Sequence, residues 1–168
     1  IRHVLISSKD YLIAQLTGEC VGDVAACSTA GAMNIRNGQW DAELCEVAGI
    51  DMTILPHLHN PQDNIGTVTE SAAQRTGFSA GTAVYAGIGD AGATTLASGV
   101  SHPGQYNINI GTSGWIATVS PEPFTDKPGA ANLAFGVEEG FVNAVPFLNA
   151  GDVHKWVTGV FSDGDYAE

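Results

Sequence analysis

The chain has 168 residues, of which 44% are hydrophobic and 14% are charged, and its formal net charge at pH 7 is -12. A chain of this length buries one substantial core or two small ones, and the composition is typical of a mixed α/β globular protein. The few lysines and arginines form no cluster. This argues against a nucleic-acid partner, because binding to a phosphate backbone needs grouped cations. No apolar run approaches membrane-spanning length and no N-terminal stretch has a signal-peptide pattern, so no membrane partner is expected.

The cysteine count bears on the cellular compartment. Cys20, Cys27 and Cys45 make an odd set without the spacing of a metal site. Reduced thiols in a cytoplasmic protein are therefore expected. The first residue is not methionine, and the last residues follow directly on a predicted helix. We therefore expect a segment cut from a longer protein.

Three helices are predicted in the first half of the chain, each between a polar residue and a glycine. The polar side chain caps the free N–H groups at the helix start, and glycine adopts the left-handed conformation that ends a helix. These helices run from Ser7 or Ser8 to Gly18, from Asp41 to Gly49, and over a short stretch ending at Gly77.

The segments between these helices are predicted to be irregular. Residues 20–41 are rich in small side chains and predict a loop that can include a short strand or helix, rather than a long element. Residues 52–64 predict a proline-punctuated connection, and residues 65–68 a short extended piece.

The second half of the chain alternates strand and helix signals. The apolar run at residues 82–88 predicts a buried strand, after which Asp90 would cap a helix. Residues 105–110 and 115–120 alternate apolar and polar side chains and predict a β-hairpin. Another strand is predicted at residues 141–148, followed by a helix capped by Asp152. The change from helix to hairpin at residues 99–103 predicts a domain seam.

Asp90 lies between a predicted strand and a predicted helix, among glycines and alanines. It can cap the helix, since a carboxylate there satisfies free backbone N–H groups. It can also act as a general base, because α/β folds bind ligands at the carboxyl ends of strands and its small neighbours let a substrate approach. Spacing alone leaves both roles open, and they do not exclude each other.

Gly111, Thr112, Ser113 and Gly114 form the predicted hairpin turn. Such a turn exposes backbone N–H groups and two hydroxyls and can hold a phosphate without lysine. An ordinary hairpin turn explains the same residues. The Walker A pattern occurs nowhere in the chain, and Trp115 stands where the serine-hydrolase elbow would need glycine. A serine nucleophile is thereby excluded.

No metal site is predicted from the side chains. His57 and His59 lie two residues apart in the proline-rich connection without a third ligand nearby. They are expected to be solvated loop histidines. Trp40, Trp115 and Trp156 are expected to pack against other side chains, because no basic groove accompanies them.

Several motifs, in order along the chain, resemble the middle of the FGGY family of carbohydrate kinases, with the xylulokinase and gluconokinase branch nearest. The sharpest are the TGE sequence after the first helix, the run TG-x-x-x-GT-x-V-x-x-G-x-x-D ending at Asp90, and GTSG at residues 111–114. The resemblance extends from about Ser8 to about Phe161.

This resemblance implies a ribonuclease H-like, actin-like ATPase fold, in which ATP and sugar meet in the cleft between two domains. The fold is expected to be incomplete in this chain. Residues 1–99 would be the end of the first, sugar-binding domain, and residues 100–168 the start of the second, ATP-binding domain. The seam between them would act as the hinge for domain closure.

The resemblance also implies roles for individual residues. Asp90 matches the catalytic base that takes the proton from the sugar hydroxyl. Residues 111–114 match the loop that contacts the ATP phosphates, which Mg²⁺ would bridge. Ala91 stands where many members carry a sugar-contacting Asn or Gln, so it is expected to border the substrate and leaves the substrate's identity open.

The implied activity is transfer of the γ-phosphoryl group of ATP to a hydroxyl of a small sugar, sugar acid or polyol. The family's N-terminal phosphate motif and its adenosine-binding turn are not found in these residues. The chain alone is therefore expected to be inactive, and to form a homo-oligomer through exposed apolar faces. The alternatives are a non-catalytic actin-like regulatory or assembly module, and a sugar- or nucleotide-binding protein without transfer.

Overall fold

The computed structural model describes residues 2–165 and has the mixed α/β architecture that the composition predicts. Its described part contains six α-helices: α1 (Ser8–Thr17), α2 (Val24–Cys27), α3 (Ala42–Ala48), α4 (Glu70–Thr76), α5 (Asp90–Ala97) and α6 (Gly151–Phe161). The strands in the same part are β1 (Val21–Asp23), β2 (Met33–Asn34), β3 (Gln39–Trp40), β4 (His57–His59), β5 (Asn64–Thr67), β6 (Ala83–Tyr85), β7 (Tyr106–Ile110), β8 (Gly114–Ser120), β9 (Ala131–Ala134) and β10 (Phe141–Phe147). No helix within residues 2–165 has the length and apolar character needed to span a membrane. The outer ends of the two predicted domains, residues 1 and 168, lie outside the described residues.

Helix boundaries in the first half follow the predicted capping residues. Ser7 caps α1 in a capping box with Asp10, whose carboxylate accepts the Ser7 N–H at 3.1 Å. Asp41 caps α3 by accepting two backbone N–H groups of its first turn. Left-handed glycines end α1, α3 and α4, at Gly18, Gly49 and Gly77. The three predicted helices are therefore confirmed.

The segments predicted as loops hold more regular structure than expected. Residues 20–41 contain β1, α2, a 3₁₀ turn at Ser28–Ala30 and the β2–β3 hairpin, and the proline-rich connection contains β4. β1 pairs in parallel with β4, with Val21 opposite His57. The elements within residues 20–41 are short, as predicted, but the β1–β4 pair was not predicted, because a strand of three residues has no readable alternation and its partner lies far along the chain.

The two aspartate caps predicted in the second half are wrong. Gly89 is the N-cap of α5, and Asp90 is the first residue of the helix itself. Likewise, Ala150 precedes α6, and Asp152 lies inside its first turn. Neither helix has a side-chain cap hydrogen bond, because the residue at the capping position is glycine in one case and alanine in the other.

The second half of the chain builds an antiparallel sheet with strand order β7–β8–β10–β9. β7 and β8 pair so that Ile110 lies opposite Gly114, which confirms the predicted hairpin. β10 confirms the strand predicted at residues 141–148. β9 was not predicted, because four residues are too few for its alternation to be read.

The predicted strand at residues 82–88 is present as β6, but it is not buried. Among the described strands, β6 pairs only with β5, in a two-stranded sheet. Tyr85 is 56% exposed and Val84 is half-buried, whereas the following residue, Ala86, is fully buried. The apolar run therefore indicated the strand correctly and its burial incorrectly.

The main hydrophobic core joins α5 to the four-stranded sheet. Its buried members are Val100, Ala117, Val119, Leu133, Phe135 and Val142. Ile88, Ala91 and Leu96, which precede the predicted domain seam, pack against this cluster. The shared core positions the start of α5 against the sheet. The division at residues 99–100 stays a prediction.

Candidate active site

Asp90 is presented at the start of α5, directly after the connection from β6. The residue is exposed, and its Oδ1 accepts the Ala91 N–H at 2.8 Å. No described residue donates a hydrogen bond to the other carboxylate oxygen, Oδ2. The N-terminal end of a helix favours a negative charge. The first turn therefore holds one oxygen of Asp90 and leaves the second available to a ligand.

A cleft of about 460 Å³ opens beside Asp90. Its walls come from the start of α1, the end of α2 and the connection before α5, and the lining residues are Ile6, Ser7, Ser8, Lys9, Ala26, Thr29, Ile88, Gly89 and Asp90. Ser8 and Thr29 are exposed and contribute hydroxyl groups. Small-molecule sites typically measure about 300–1,000 Å³. The cleft therefore has room for a small polar molecule next to the carboxylate.

Lys9, Asp10 and Asp23 form an ionic cluster in and behind the cleft wall, and the sequence analysis missed it. Lys9 Nζ lies 2.7 Å from Asp10 Oδ1 and 3.0 Å from Asp23 Oδ2, and both carboxylates are fully buried. Burial by itself lowers the pKa of Lys9, but the hydrogen bonds and charges of the two aspartates outweigh it and raise that pKa above its ordinary value. The local capping box at Ser7 hints at Asp10, but no neighbouring signal points to Asp23.

The turn between β7 and β8 presents free donors at its tip. Thr112 and Ser113 are exposed, and their N–H and hydroxyl groups make no hydrogen bond to another described residue. The Gly111 N–H is already used, since it donates to the Ser113 carbonyl at 2.7 Å. The carbonyl groups of Gly111 and Thr112 accept N–H groups from the start of α6, at 2.7 and 3.0 Å. The turn is thus anchored on α6, and the donors of Thr112 and Ser113 are not used within the described structure.

Gly114 has a packing role that the sequence analysis did not foresee. It is the first residue of β8 and is buried. A Cβ at this position would lie 2.5 Å from the carbonyl oxygen of Asn109 and would also collide with the Phe147 ring. Glycine is therefore needed for the hairpin to close, whether or not a phosphate binds at its tip.

The predicted site residues form two separate groups. Asp90 and Ala91 are neighbours and line a void of about 30 Å³ together with Gly92 and Leu133. The Ala91 N–H is bound to Asp90, so this residue offers a ligand only its methyl group. Neither cavity beside Asp90 includes any of residues 111–114. The turn residues are adjacent to one another but not to the cleft of Asp90.

The two histidines predicted to lie in a loop belong to a strand. His57 and His59 are part of β4, and His59 Nδ1 lies 3.5 Å from the carboxylate of Asp63. Within residues 2–165, no cluster of three or more His, Cys, Asp or Glu side chains is arranged to hold a metal ion. His57 and His59 are thus strand residues at the edge of the β1–β4 pair.

Comparison with known proteins identifies the family. Residues 1–97 match the FGGY family of carbohydrate kinases, N-terminal domain. The chain belongs to this family. It is 28% identical over 160 residues to the gluconokinase of Bacillus subtilis (strain 168). It is 36% identical over 137 residues to the autoinducer-2 kinase of Yersinia enterocolitica. These alignments cover 95% and 81% of this chain but only 31% and 26% of the two kinases.

The fold is also that of solved FGGY kinases. The crystal structure of xylulose kinase from Rhodospirillum rubrum superposes with a TM-score of 0.87 at 28% identity. The superposition covers 99% of this chain and 34% of that kinase. The chain therefore has a partial ribonuclease H-like, actin-like ATPase fold, as the resemblance implied, and spans about a third of the length of these relatives.

Proposed function

We propose that the protein to which this chain belongs is an ATP-dependent kinase that phosphorylates a hydroxyl of a small sugar, sugar acid or polyol. The observation that carries the proposal is the exposed carboxylate of Asp90 on the wall of a 460 Å³ cleft. Membership of a carbohydrate kinase family supports it. We further propose that residues 1–99 and 100–168 belong to two domains that close around the substrates, in a cytoplasmic enzyme.

In this proposal Asp90 acts as the general base. Its Oδ1 is occupied by the Ala91 N–H, while Oδ2 has no donor among the described residues. Oδ2 is therefore the atom that accepts the proton of the substrate hydroxyl. As the proton leaves, the hydroxyl oxygen forms its bond to the γ-phosphorus and the bond to the ADP oxygen breaks. Ser8 and Thr29 supply hydroxyls that can orient the sugar in the same cleft.

The turn at residues 111–114 is suited to hold the phosphates of ATP. The N–H and hydroxyl groups of Thr112 and Ser113 are exposed and without partners in the described structure, which fits an anion that accepts several hydrogen bonds. Mg²⁺ would be held mainly by the phosphates, because the described residues offer it no cluster of ligands. Bound there, it would neutralise phosphate charge. In this proposal, Asp90 and the turn at residues 111–114 come close together only when the ligands are bound and the rest of the protein is present.

The isolated chain of 168 residues is expected to be inactive, since it spans about a third of its kinase relatives. The test of Asp90 therefore uses the complete polypeptide that carries this segment. With a panel of sugars, sugar acids and polyols, Mg²⁺-dependent release of ADP is expected for at least one compound. Asp90→Asn should lower kcat by at least about a hundredfold, in line with the loss of a general base, and should leave ATP binding unchanged.

Glu70→Gln is the matched control for this variant. Glu70 is the first residue of α4, as Asp90 is of α5, and is likewise exposed, but it does not line the cleft. Its neutralisation should leave kcat within about twofold of the parent, as for a surface substitution. Near-normal turnover of Asp90→Asn, or no ADP release with any compound, would contradict the proposal and favour a binding module.

A further inference from the structure

The connection between β6 and α5, residues 86–89, carries Asp90 at its end and is held by two charged side chains, the half-buried Lys9 and the fully buried Asp23. Lys9 is the first of them. Its ammonium donates to the Ala86 carbonyl at 2.9 Å while also pairing with Asp23 at 3.0 Å. One side chain from α1 thereby joins the β1–α2 junction to the connection that presents Asp90.

Asp23 holds the same connection from the other side. Its Oδ1 accepts the N–H groups of Ala25 and Ala26 at 3.0 Å and caps α2. The same oxygen also receives the Gly89 N–H at 3.4 Å. Its Oδ2 pairs with the Lys9 ammonium at 3.0 Å. Asp23 therefore links the start of α2 to the residue that immediately precedes Asp90.

Close packing leaves the connection little freedom. A Cβ on Gly89 would approach the Cα and Cβ of Ala26 to 3.1 Å, which is tighter than ordinary contact. Gly87 has a left-handed φ of 66°, and a Cβ there would lie 3.3 Å from Lys9 Cδ. The connection is thus in close contact with α2 at Gly89 and with the Lys9 side chain at Gly87.

We propose that Lys9 and Asp23 are positioning residues, which fix residues 86–89 and with them the direction in which the Asp90 carboxylate enters the cleft. The proposal rests on the proposed role of Asp90 as base. Its physical basis is that proton transfer requires heavy atoms at hydrogen-bond distance, so a displacement of about 1 Å can cost up to about a hundredfold in rate.

Asp10 provides the control that distinguishes positioning of Asp90 from general stabilisation of the fold. It is as fully buried as Asp23 and pairs with the same lysine, at 2.7 Å. Its other contact is with Ser7, at the start of α1, and it makes no hydrogen bond to residues 86–90 in the described structure. Asp10→Asn therefore removes an equivalent charge without releasing the connection.

The first test measures amide hydrogen exchange in the 168-residue chain and does not depend on activity. Lys9→Met and Asp23→Asn should speed exchange across residues 86–92 by about tenfold or more, because opening of this segment becomes easier. Asp10→Asn should leave exchange there unchanged while it speeds exchange at the start of α1. Asp23→Asn keeps the shape of the side chain and an oxygen for the helix cap, so it serves if Lys9→Met fails to fold.

The second test measures kinetics in the complete polypeptide. Lys9→Met and Asp23→Asn should lower kcat by about ten- to a hundredfold. In Asp23→Asn, whose side chain does not line the cleft, KM for sugar and ATP should change less than about threefold. Asp10→Asn should lower the melting temperature but keep kcat within about twofold.

The outcomes separate the two proposals. Unchanged exchange at residues 86–92 in both Lys9→Met and Asp23→Asn overturns the positioning role, as does an equal loss of kcat in Asp10→Asn. If Asp90→Asn retains normal turnover, the proposed base is wrong, and the exchange experiment still decides whether Lys9 and Asp23 hold the connection.

Discussion

The Ser28 hydroxyl accepts a hydrogen bond of 2.9 Å from the backbone N–H of Ala134 and ties the end of α2 to the outer edge of β9. The same hydroxyl donates to the Val24 carbonyl at 2.7 Å. β9 is an edge strand of the four-stranded sheet, and Ala134 is buried. This contact therefore satisfies an edge N–H group that would otherwise be buried without a partner.

Ser28→Ala is expected to lower the free energy of unfolding by about 1–3 kcal/mol, the usual cost of a buried donor left unpaired. Urea denaturation of the chain measures it. Ser98→Ala is the control, because its exposed hydroxyl only bonds back to the Thr95 carbonyl of its own helix. Equal effects of the two substitutions would mean that the link from Ser28 to the sheet contributes nothing.

Gly114→Ala tests the packing of the turn at residues 111–114. The added methyl would lie 2.5 Å from the Asn109 carbonyl oxygen, a backbone atom that cannot rotate away. We expect a loss of about 1–3 kcal/mol in unfolding free energy, as for other overpacked sites. Gly159→Ala is the matched control, since a Cβ at this α6 position meets nothing within 4 Å. It should stabilise the chain by about 0.5–1 kcal/mol. A neutral Gly114→Ala would refute the close approach.

Alkaline pH is expected to destabilise the chain through the buried thiol of Cys27 and the ammonium of Lys9. Burial, with the charges of Asp10 and Asp23, raises the pKa of the Cys27 thiol from 9.0 to about 12, against an opposing effect of Lys9. The folded chain thus keeps a proton that the unfolded chain releases, so this stability is complete below pH 9 and is lost as the pH rises to about 12. The raised pKa of Lys9 acts in the same direction above its ordinary value of 10.5.

Urea titrations between pH 8 and pH 12 check this prediction, with the range chosen to span both Cys27 values. The free energy of unfolding should fall as pH rises, and Cys27→Ala should fall less steeply than the parent. Cys20→Ala is the control, because Cys20 is a free thiol that is only half-buried. Parallel curves for Cys27→Ala and the parent would show that the buried thiol does not contribute.

Self-association is expected through the exposed apolar side chains of β7, an edge strand of the four-stranded sheet. Tyr106, Ile108 and Ile110 alternate along the edge strand β7 and are all more than half exposed. Trp156 is 64% exposed on α6, so the expectation that it packs is wrong. Exposed apolar side chains in a row along β7 favour association.

Light scattering after size exclusion should show a mass above that of a 17.4 kDa monomer, and a mass that rises with concentration. The double variant Ile108→Thr, Ile110→Thr should shift the chain toward monomer. Val47→Thr is the control, since Val47 is 83% exposed but lies on α3. A monomer at all concentrations would contradict the prediction.

Helix ends and the hairpin could be predicted from the sequence because the residues that determine them lie within a few positions of one another. Ser7, Asp41 and the glycines that follow the first helices predicted their ends correctly, since capping depends on contacts of two to four residues. The β7–β8 hairpin was predicted for the same reason. The family resemblance also rested on short motifs, and the family match to residues 1–97 confirmed it.

Burial and long-range pairing were decided by the tertiary structure. Nothing near Val21 indicates its parallel partner at His57, and nothing in the apolar run of β6 shows that Tyr85 faces solvent. The hydrogen bond from Lys9 to Ala86 spans 77 positions, and the one from Gly89 to Asp23 spans 66. Contacts of that span form only when packing brings distant elements together. The residues that flank Asp90 could thus be identified from the sequence. Lys9 and Asp23, which contact the connection before Asp90, could be identified only from the folded structure.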